Sequence, residues 1–127
     1  MGTHCAVAVK RGGVVRSWER TMDGFILRDV FQEWINGLIK TGIPPFVWDD
    51  PEVLNRIGGG VLEFGVEREH EQEYFVGVDY DNYVIYASPN VFLERDLYKT
   101  ASLILNVYRT GWIMRLGYDD KDLQGGE

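Results

Sequence analysis

The chain has 127 residues, of which 45% are hydrophobic and 13% aromatic, so it is long enough and apolar enough to bury a core. A single cysteine excludes an internal disulfide and, with only two histidines, a structural zinc site built from Cys and His ligands. The formal net charge of −7 argues against direct binding of nucleic acid, which depends on clustered Lys and Arg side chains.

The sequence shows no signal for export or membrane insertion. No charged segment followed by a short apolar run opens the chain, and no apolar run approaches the roughly 20 residues needed to cross a bilayer. We therefore expect a soluble cytoplasmic protein that uses no cofactor and contacts neither a membrane nor nucleic acid.

The first 45 residues predict a hairpin followed by a helix. Two Val-containing segments flank Gly12-Gly13, a strong turn signal, and predict two strands. Asp23 is the predicted N-cap of the helix. The apolar residues that follow recur at helical spacing and predict one wide buried stripe: Leu27, Val30, Phe31, Trp34, Ile35, Leu38 and Ile39. Gly42 is expected to end the helix, with Ile43 as the next apolar contact, and Pro44-Pro45 prevents continuation.

The middle of the chain predicts an irregular loop and three strands. The loop covers residues 43–60 and includes a single helical turn after Pro51. Apolar and polar residues alternate over 61–67 and predict a half-buried strand, and two further strands flank a tight turn at Asp81-Asn82. The segment EREHEQE, residues 67–73, lies between these strands. It lacks the second histidine of an H-E-x-x-H metal site, so we interpret it as a solvated connection.

The last third predicts a second helix and an edge strand. Ser88 or Asn90 is the expected cap of the helix. Its apolar positions at helical spacing are Leu93, Leu97, Ala101, Ile104, Leu105 and Tyr108. Residues 109–112 repeat the base–threonine–glycine–apolar ending of the first helix, and residues 113–118 predict a short strand. The acidic tail 119–127 is expected to be disordered, which leaves a single domain over 1–118.

Together these elements predict an α+β fold in two layers. Two helices with single apolar stripes require one surface to cover, and an antiparallel sheet of about five strands with one apolar face supplies it. Strands and helices do not alternate as they do in a βαβ fold, so a Rossmann-type nucleotide site is disfavoured.

Several segments carry a superficial likeness to chemical sites. Gly58-Gly59-Gly60 lacks the Lys-Ser or Lys-Thr of a phosphate-binding loop. The VDYDNY segment places Val84 and Asn90 where a calcium-binding EF-hand needs Gly and Glu. Neighbouring His4 and Cys5 would point to opposite faces of a strand, which disfavours a thiol nucleophile with an adjacent base.

The most informative local feature is Trp48 followed by Asp49-Asp50 in the proline-bounded loop. An aromatic ring beside acids suits the binding of an Arg or Lys side chain through cation–π attraction and ion pairing. The alternative is that Phe46 and Trp48 only attach this loop to the core. The predicted partner-binding residues, all on predicted loops or turns, are Trp48, Asp49, Asp50, Glu69, Glu71, Asp79 and Asp81.

The beginning of the chain resembles small uncharacterised phage and plasmid proteins. MGTH and the later WERTMDGF are similar to their opening M-G-T-R and to an aromatic residue followed by D-G-Y-P. The resemblance covers about the first 36 residues and departs at His4 and Phe25-Ile26. It implies no activity, so no residue roles follow. In charge and expected architecture the chain is also similar to bacterial immunity proteins, although no motif supports this likeness.

These observations favour a small acidic protein that binds another protein. We expect an inhibitor, of the immunity or phage counter-defence kind, that engages a basic partner surface and is not an enzyme. A sequestering protein for a small or nucleotide-like ligand is the alternative; it needs a tyrosine-lined pocket with an arginine such as Arg56 or Arg68. A small hydrolase using Cys5 or a carboxylate pair is a third hypothesis, and a homodimer is compatible with all three.

Overall fold

The computed structural model describes residues 4–20, 24–58, 63–64, 74–92, 96–118 and 121–124. In chain order the elements are β1 (Cys5–Arg11), β2 (Val14–Arg20), α1 (Ile26–Thr41), α2 (Pro51–Gly58), β3 (Glu63–Phe64), β4 (Tyr74–Asp79), β5 (Val84–Ala87), α3 (Pro89–Phe92), α4 (Leu97–Tyr108), β6 (Ile113–Leu116) and α5 (Lys121–Gln124).

The described strands form one six-stranded sheet in the order β3-β2-β1-β4-β5-β6. Three neighbouring pairs are antiparallel, and the pairs β1–β4 and β5–β6 are parallel. The predicted α+β class with a mostly antiparallel sheet is therefore confirmed, and α1 and α4 are its two long helices.

The absence of a βαβ unit, expected from the sequence, is wrong for the last third of the chain. Strand β5 leads through α3 and α4 into β6, and β6 lies beside β5 in the parallel direction. Periodicity identifies a short edge strand but does not indicate which way it runs. Strand β6 runs parallel to β5 because α4 returns the chain to the end of the sheet at which β5 begins.

The hairpin of β1 and β2 follows from its turn. Arg11 pairs with Val14, which leaves Gly12 and Gly13 as a two-residue loop with φ of 61° and 78°. Only glycine adopts two successive positive φ values without steric cost, so the predicted turn is confirmed.

Helix α1 buries the predicted stripe. Six of its seven apolar residues are buried and Ile39 is half-buried against the core. Gly42 ends the helix with φ of 75° and donates its N–H to the Leu38 carbonyl, as expected. Ile43 is exposed, so the predicted apolar contact after the helix is wrong. Phe25 occupies the N-cap position, and the predicted cap Asp23 lies outside the described residues.

The predicted second helix is two helices. Ser88 does not cap the long one; its hydroxyl accepts the Phe75 N–H at 2.9 Å and donates to the Asn90 side chain. Helix α4 begins later, where the Asp96 carboxylate accepts the N–H groups of Tyr98 and Lys99. Leu93, predicted as part of the apolar stripe, lies outside the described residues.

Helix α4 also turns a different face to the core than the sequence predicts. Thr100 and Val107 are buried, and Leu103 and Ile104 pack partly against the core. The predicted core positions Ala101, Leu105 and Tyr108 are exposed instead. Because α4 is apolar around more than half of its circumference, periodicity alone does not identify the buried side.

The sheet is covered on both faces at its centre. Residues of β1 and β4 that face α1 and α4 belong to the main core: Cys5, Val7, Val9, Val76 and Val78. Ala6, Ala8 and Phe75 face the other way and form a second cluster with Leu123 of α5. The tail predicted to be disordered is thus helical at residues 121–124, with Leu123 buried. The rest of the tail lies outside the described residues.

Candidate functional site

Three connections meet at one end of the sheet, which we call the loop end: the β1–β2 turn at residues 12–13, the loop 42–50 and the turn 80–83. Strands β1 and β4 are parallel neighbours in which Lys10 pairs with Asp79, so both strands finish at this end. Their turns therefore lie side by side. Loop 42–50 arrives at the same place because α1 starts after the far end of β2 and runs back along the sheet.

Asp81 joins two of these connections. Its Oδ1 accepts the Gly12 N–H and its Oδ2 accepts the Gly13 N–H, each at 2.8 Å. The hydrogen bonds from the Gly13 and Gly12 amides lower the pKa of this exposed carboxyl below its ordinary value of 3.8, because they favour the charged form. Asp81 is therefore ionised at neutral pH and binds backbone amides that lie 68 and 69 positions away in the chain.

Asp79 shapes the turn between β4 and β5. It is 4% exposed, and its Oδ1 accepts the N–H groups of Asp81 and Asn82 at 2.9 and 3.0 Å. Its Oδ2 accepts the Asn82 amide group at 2.9 Å. The left-handed residue of this turn is Tyr83, with φ of 57°, rather than Asp81 or Asn82 as expected. The Asp79 carboxylate accepts the N–H groups of Asp81 and Asn82, and the next residue, Tyr83, adopts the left-handed conformation that reverses the chain direction.

Arg11 occupies an acid-and-aromatic site at the loop end. Its Nη2 lies 2.8 Å from Asp49 Oδ1, and its guanidinium lies 4.3 Å from the centroid of the Tyr80 ring. The Tyr80 hydroxyl accepts the Trp48 N–H at 2.9 Å. Burial raises the pKa of Tyr80 above its ordinary value of 10.0, so the hydroxyl is neutral at physiological pH. An aromatic ring beside an acid thus binds an arginine here, but the ring is that of Tyr80 rather than the predicted Trp48, and the arginine belongs to the same chain.

Trp48 lies in the aromatic core. Its ring is fully buried and packs beside Trp34 and Phe46, with ring centroids 6.1 and 5.5 Å away. Its indole N–H is buried without a hydrogen-bond partner in the described part of the chain. Trp34, by contrast, donates its indole N–H to the Phe46 carbonyl at 2.9 Å. Trp48 thus attaches loop 42–50 to the core, and its ring presents no surface to a partner in this structure.

Asp50 caps α2. Its Oδ1 accepts the Glu52 N–H at 2.8 Å, and its carboxylate remains exposed at the start of the helix. Helix α2 extends over eight residues, longer than the single turn predicted after Pro51. The acid at the cap and Glu52 in the first turn both stabilise a helix N-terminus, which carries partial positive charge.

The structure therefore brings five of the seven predicted partner-binding residues to one end of the sheet: Trp48, Asp49, Asp50, Asp79 and Asp81. Trp48 and Asp79 are buried there, Asp49 pairs with Arg11, and Asp50 and Asp81 expose their carboxylates. Glu69 and Glu71 lie outside the described residues, as does the whole segment 67–73.

The residues of the two alternative hypotheses are placed differently. Arg56 is on the surface of α2 and pairs with Glu33 of α1, and Arg68 lies outside the described residues. Cys5 is fully buried in the main core, and this burial raises the pKa of its thiol from 9.0 to about 12. A thiol with that pKa is almost entirely protonated at neutral pH and is a poor nucleophile.

Among the residues that the structure describes, no group of three or more His, Cys, Asp and Glu side chains is arranged to hold a metal ion. The helices described in this structure are all too short or too polar to cross a membrane.

Sequence reasoning overlooked an exposed apolar surface on α4 and β6. Tyr98, Leu105 and Tyr108 of α4 and Leu116 of β6 are exposed, and the two elements pack against each other. The signal was present in the sequence, because α4 has more apolar residues than one buried stripe can use.

Comparison with protein-family models, with curated proteins and with solved structures yields no match for this chain.

Proposed function

We propose that this protein works by binding another protein, as a small acidic inhibitor of the immunity or phage counter-defence kind whose loop end contacts a basic surface of its target. The observation that carries the proposal is the pair of exposed carboxylates, Asp50 and Asp81, that backbone N–H groups hold in place at one end of the sheet.

Fixed carboxylates favour binding because little conformational freedom is lost when a partner arrives. Asp81 is anchored by two amides and Asp50 by one, so neither side chain has to be ordered by the target. The lowered pKa of Asp81 keeps its charge at any physiological pH. These charges suit the Lys and Arg side chains of a basic surface.

The chain's own Arg11 is a precedent for such a contact. A carboxylate and a tyrosine ring, from Asp49 and Tyr80, bind its guanidinium at the loop end. The net charge of −7 adds long-range attraction for a basic target and would speed association at low ionic strength.

Affinity capture from a lysate of the native host tests the proposal. The tagged protein is expected to retain one stoichiometric basic protein at low salt and to lose it as salt rises, because exposed charge pairs are screened. An empty capture, or a partner held equally well at high salt, would contradict the proposed mode of binding.

A matched pair of variants locates the contact. Asp50→Asn removes one negative charge while keeping an oxygen that can accept the Glu52 N–H and cap α2. Asp29→Asn removes the same charge from the first turn of α1, which starts at the opposite end of the sheet. We expect capture to weaken about tenfold with Asp50→Asn and to stay unchanged with Asp29→Asn. Equal effects would show that net charge, not the loop end, directs binding.

A further inference from the structure

The outer face of α4 carries an apolar stripe that the described part of the chain leaves exposed. Tyr98, Leu105 and Tyr108 are 89%, 49% and 65% exposed, and Ala101 is exposed between them. At 3.6 residues per turn these four positions fall within about 80° of the helix circumference. They are three, four and three residues apart, which is the spacing of a helix–helix seam.

The stripe is symmetric about the middle of the helix. If a second copy of α4 lies antiparallel to the first, Tyr98 of one copy faces Tyr108 of the other, and Ala101 faces Leu105. The small side chain then meets the large one, and the same contacts occur twice, as a two-fold axis requires. A parallel arrangement would instead set Leu105 against Leu105 and leave a gap between the two Ala101 side chains.

The charges at the helix ends favour the same arrangement. Exposed Asp96 caps the N-terminus of α4 and exposed Arg109 lies at its C-terminus. Antiparallel pairing brings the Asp96-capped end of each helix towards the Arg109 end of the other. The partial charges of the two helix dipoles are then also complementary. Parallel pairing would place like charges together at both ends.

We propose that α4 is the self-association surface of this protein and pairs antiparallel with α4 of a second copy. The 12-residue helix is only about 18 Å long, so its stripe alone makes a small contact. Leu116 on β6, which packs against α4 and points to the same side of the sheet as Met114, adds exposed apolar area beside it. A contact this small predicts a weak dimer whose population rises with protein concentration. The proposal does not rest on the binding proposed for the acidic loop end.

Sedimentation velocity of the full chain over a concentration series measures the association. The mass is expected to rise from 14.6 kDa towards twice that value. Leu105→Lys is expected to raise the dissociation constant at least about tenfold, because it places a charge in the centre of the seam. Asn55→Lys adds the same charge to an exposed position on α2 and should leave association unchanged. A chain that stays monomeric throughout would overturn the proposal, as would equal effects of the two lysines.

Disulfide trapping tests the direction and does not depend on how well the lysine variants fold. Tyr98→Cys and Tyr108→Cys are oxidised separately and as a mixture; the native Cys5 is buried and gives the background in the wild-type chain. Antiparallel pairing predicts cross-linked dimers in the mixture that contain one copy of each variant. Cross-linking of either variant to itself, or no cross-link in any sample, would overturn this arrangement.

Discussion

At the scale of single residues, carboxylates make the hydrogen bonds and the ion pair that connect the turns of the loop end. Asp81 accepts two amides from the neighbouring hairpin, Asp79 closes its own turn, and Asp49 neutralises Arg11. Asp79 and Asp81 accept backbone N–H groups that the turns would otherwise leave without partners, and Asp49 binds a side chain. The residues that suggested a binding surface are therefore also those that hold the surface together.

Replacement of Asp81 should loosen the contact between the two turns. Asp81→Ala removes the acceptor of both glycine amides, so we expect a lower free energy of unfolding at neutral pH in urea titrations. The folded-state pKa of Asp81 lies below 3.8, so its stabilising effect is present above that pH and is lost as pH falls through the folded pKa. The difference between wild type and variant should therefore shrink below about pH 4. A difference that stays constant from pH 7 to pH 2 would show that Asp81 does not act through its charge.

Cys5 should make the fold sensitive to alkaline pH. Its folded-state pKa is raised from 9.0 to about 12, so the protonated thiol stabilises the fold below pH 9 and this contribution is lost as pH rises towards 12. Wild type should lose up to about 1.4 kcal/mol of stability per pH unit in this range relative to Cys5→Ala, which carries no titrating group. Urea titrations of both proteins at pH 8 and pH 11 measure the difference. Parallel pH profiles would contradict a buried thiol.

Local chemistry made some of these residues predictable and others not. Gly12, Gly13 and Gly42 adopt the positive φ values expected from their places at turns and helix ends. The partners of Asp81 were unpredictable, because its contacts depend on the parallel pairing of β1 and β4, which are far apart in the sequence. Trp48 illustrates the same limit: its sequence context suits both an exposed anchor and a core residue, and only packing distinguishes the two.

At the scale of elements, periodicity identified each long helix but not always its environment. Helix α1 has one apolar stripe and buries it as expected. Helix α4 is apolar on two sides, and the predicted core face is largely the exposed one. Strands β1 and β4 alternate Val with Ala, Gly or Phe. The small side chains on the second face leave room for α5. The prediction of a sheet covered on one face did not take these small residues into account.

The docking of α5 has a direct test. Leu123 is buried against Ala6, Ala8 and Phe75, so Leu123→Ala should lower the free energy of unfolding by about 2 to 3 kcal/mol. The exposed neighbour Gln124 serves as control, and Gln124→Ala should change stability by less than about 0.5 kcal/mol. Urea titration of both variants provides the values. Equal stabilities would restore the expectation of a disordered tail.

The close approach of α5 also depends on Gly77. A Cβ at this position would lie 2.5 Å from a Leu123 methyl group and 2.8 Å from the Phe75 ring. Neither distance is tolerated, so a side chain here would displace Leu123 or the ring. Glycine has a low strand propensity, and its presence inside β4 is explained by the close packing of α5 on the second face of the sheet.

At the scale of the whole molecule, the residues that the structure describes include two surfaces of different character that a partner could contact. The loop end exposes fixed carboxylates, and α4 exposes an apolar stripe with opposite charges at its ends. We assign the first to a basic protein target and the second to a copy of the same chain. If both assignments hold, the dimer presents two acidic loop ends to its targets.

The central claim is that fixed acids at the loop end bind a basic partner, and a titration of the captured protein tests it most directly. Calorimetric titration at about 50 and 500 mM salt should show an affinity that falls steeply with salt, because the screening length shortens severalfold over this range. The fall in affinity between low and high salt should be smaller for Asp50→Asn than for wild type, and the same as wild type for Asp29→Asn. An affinity that does not depend on salt, or an Asp50→Asn variant that binds as wild type does, would contradict the claim.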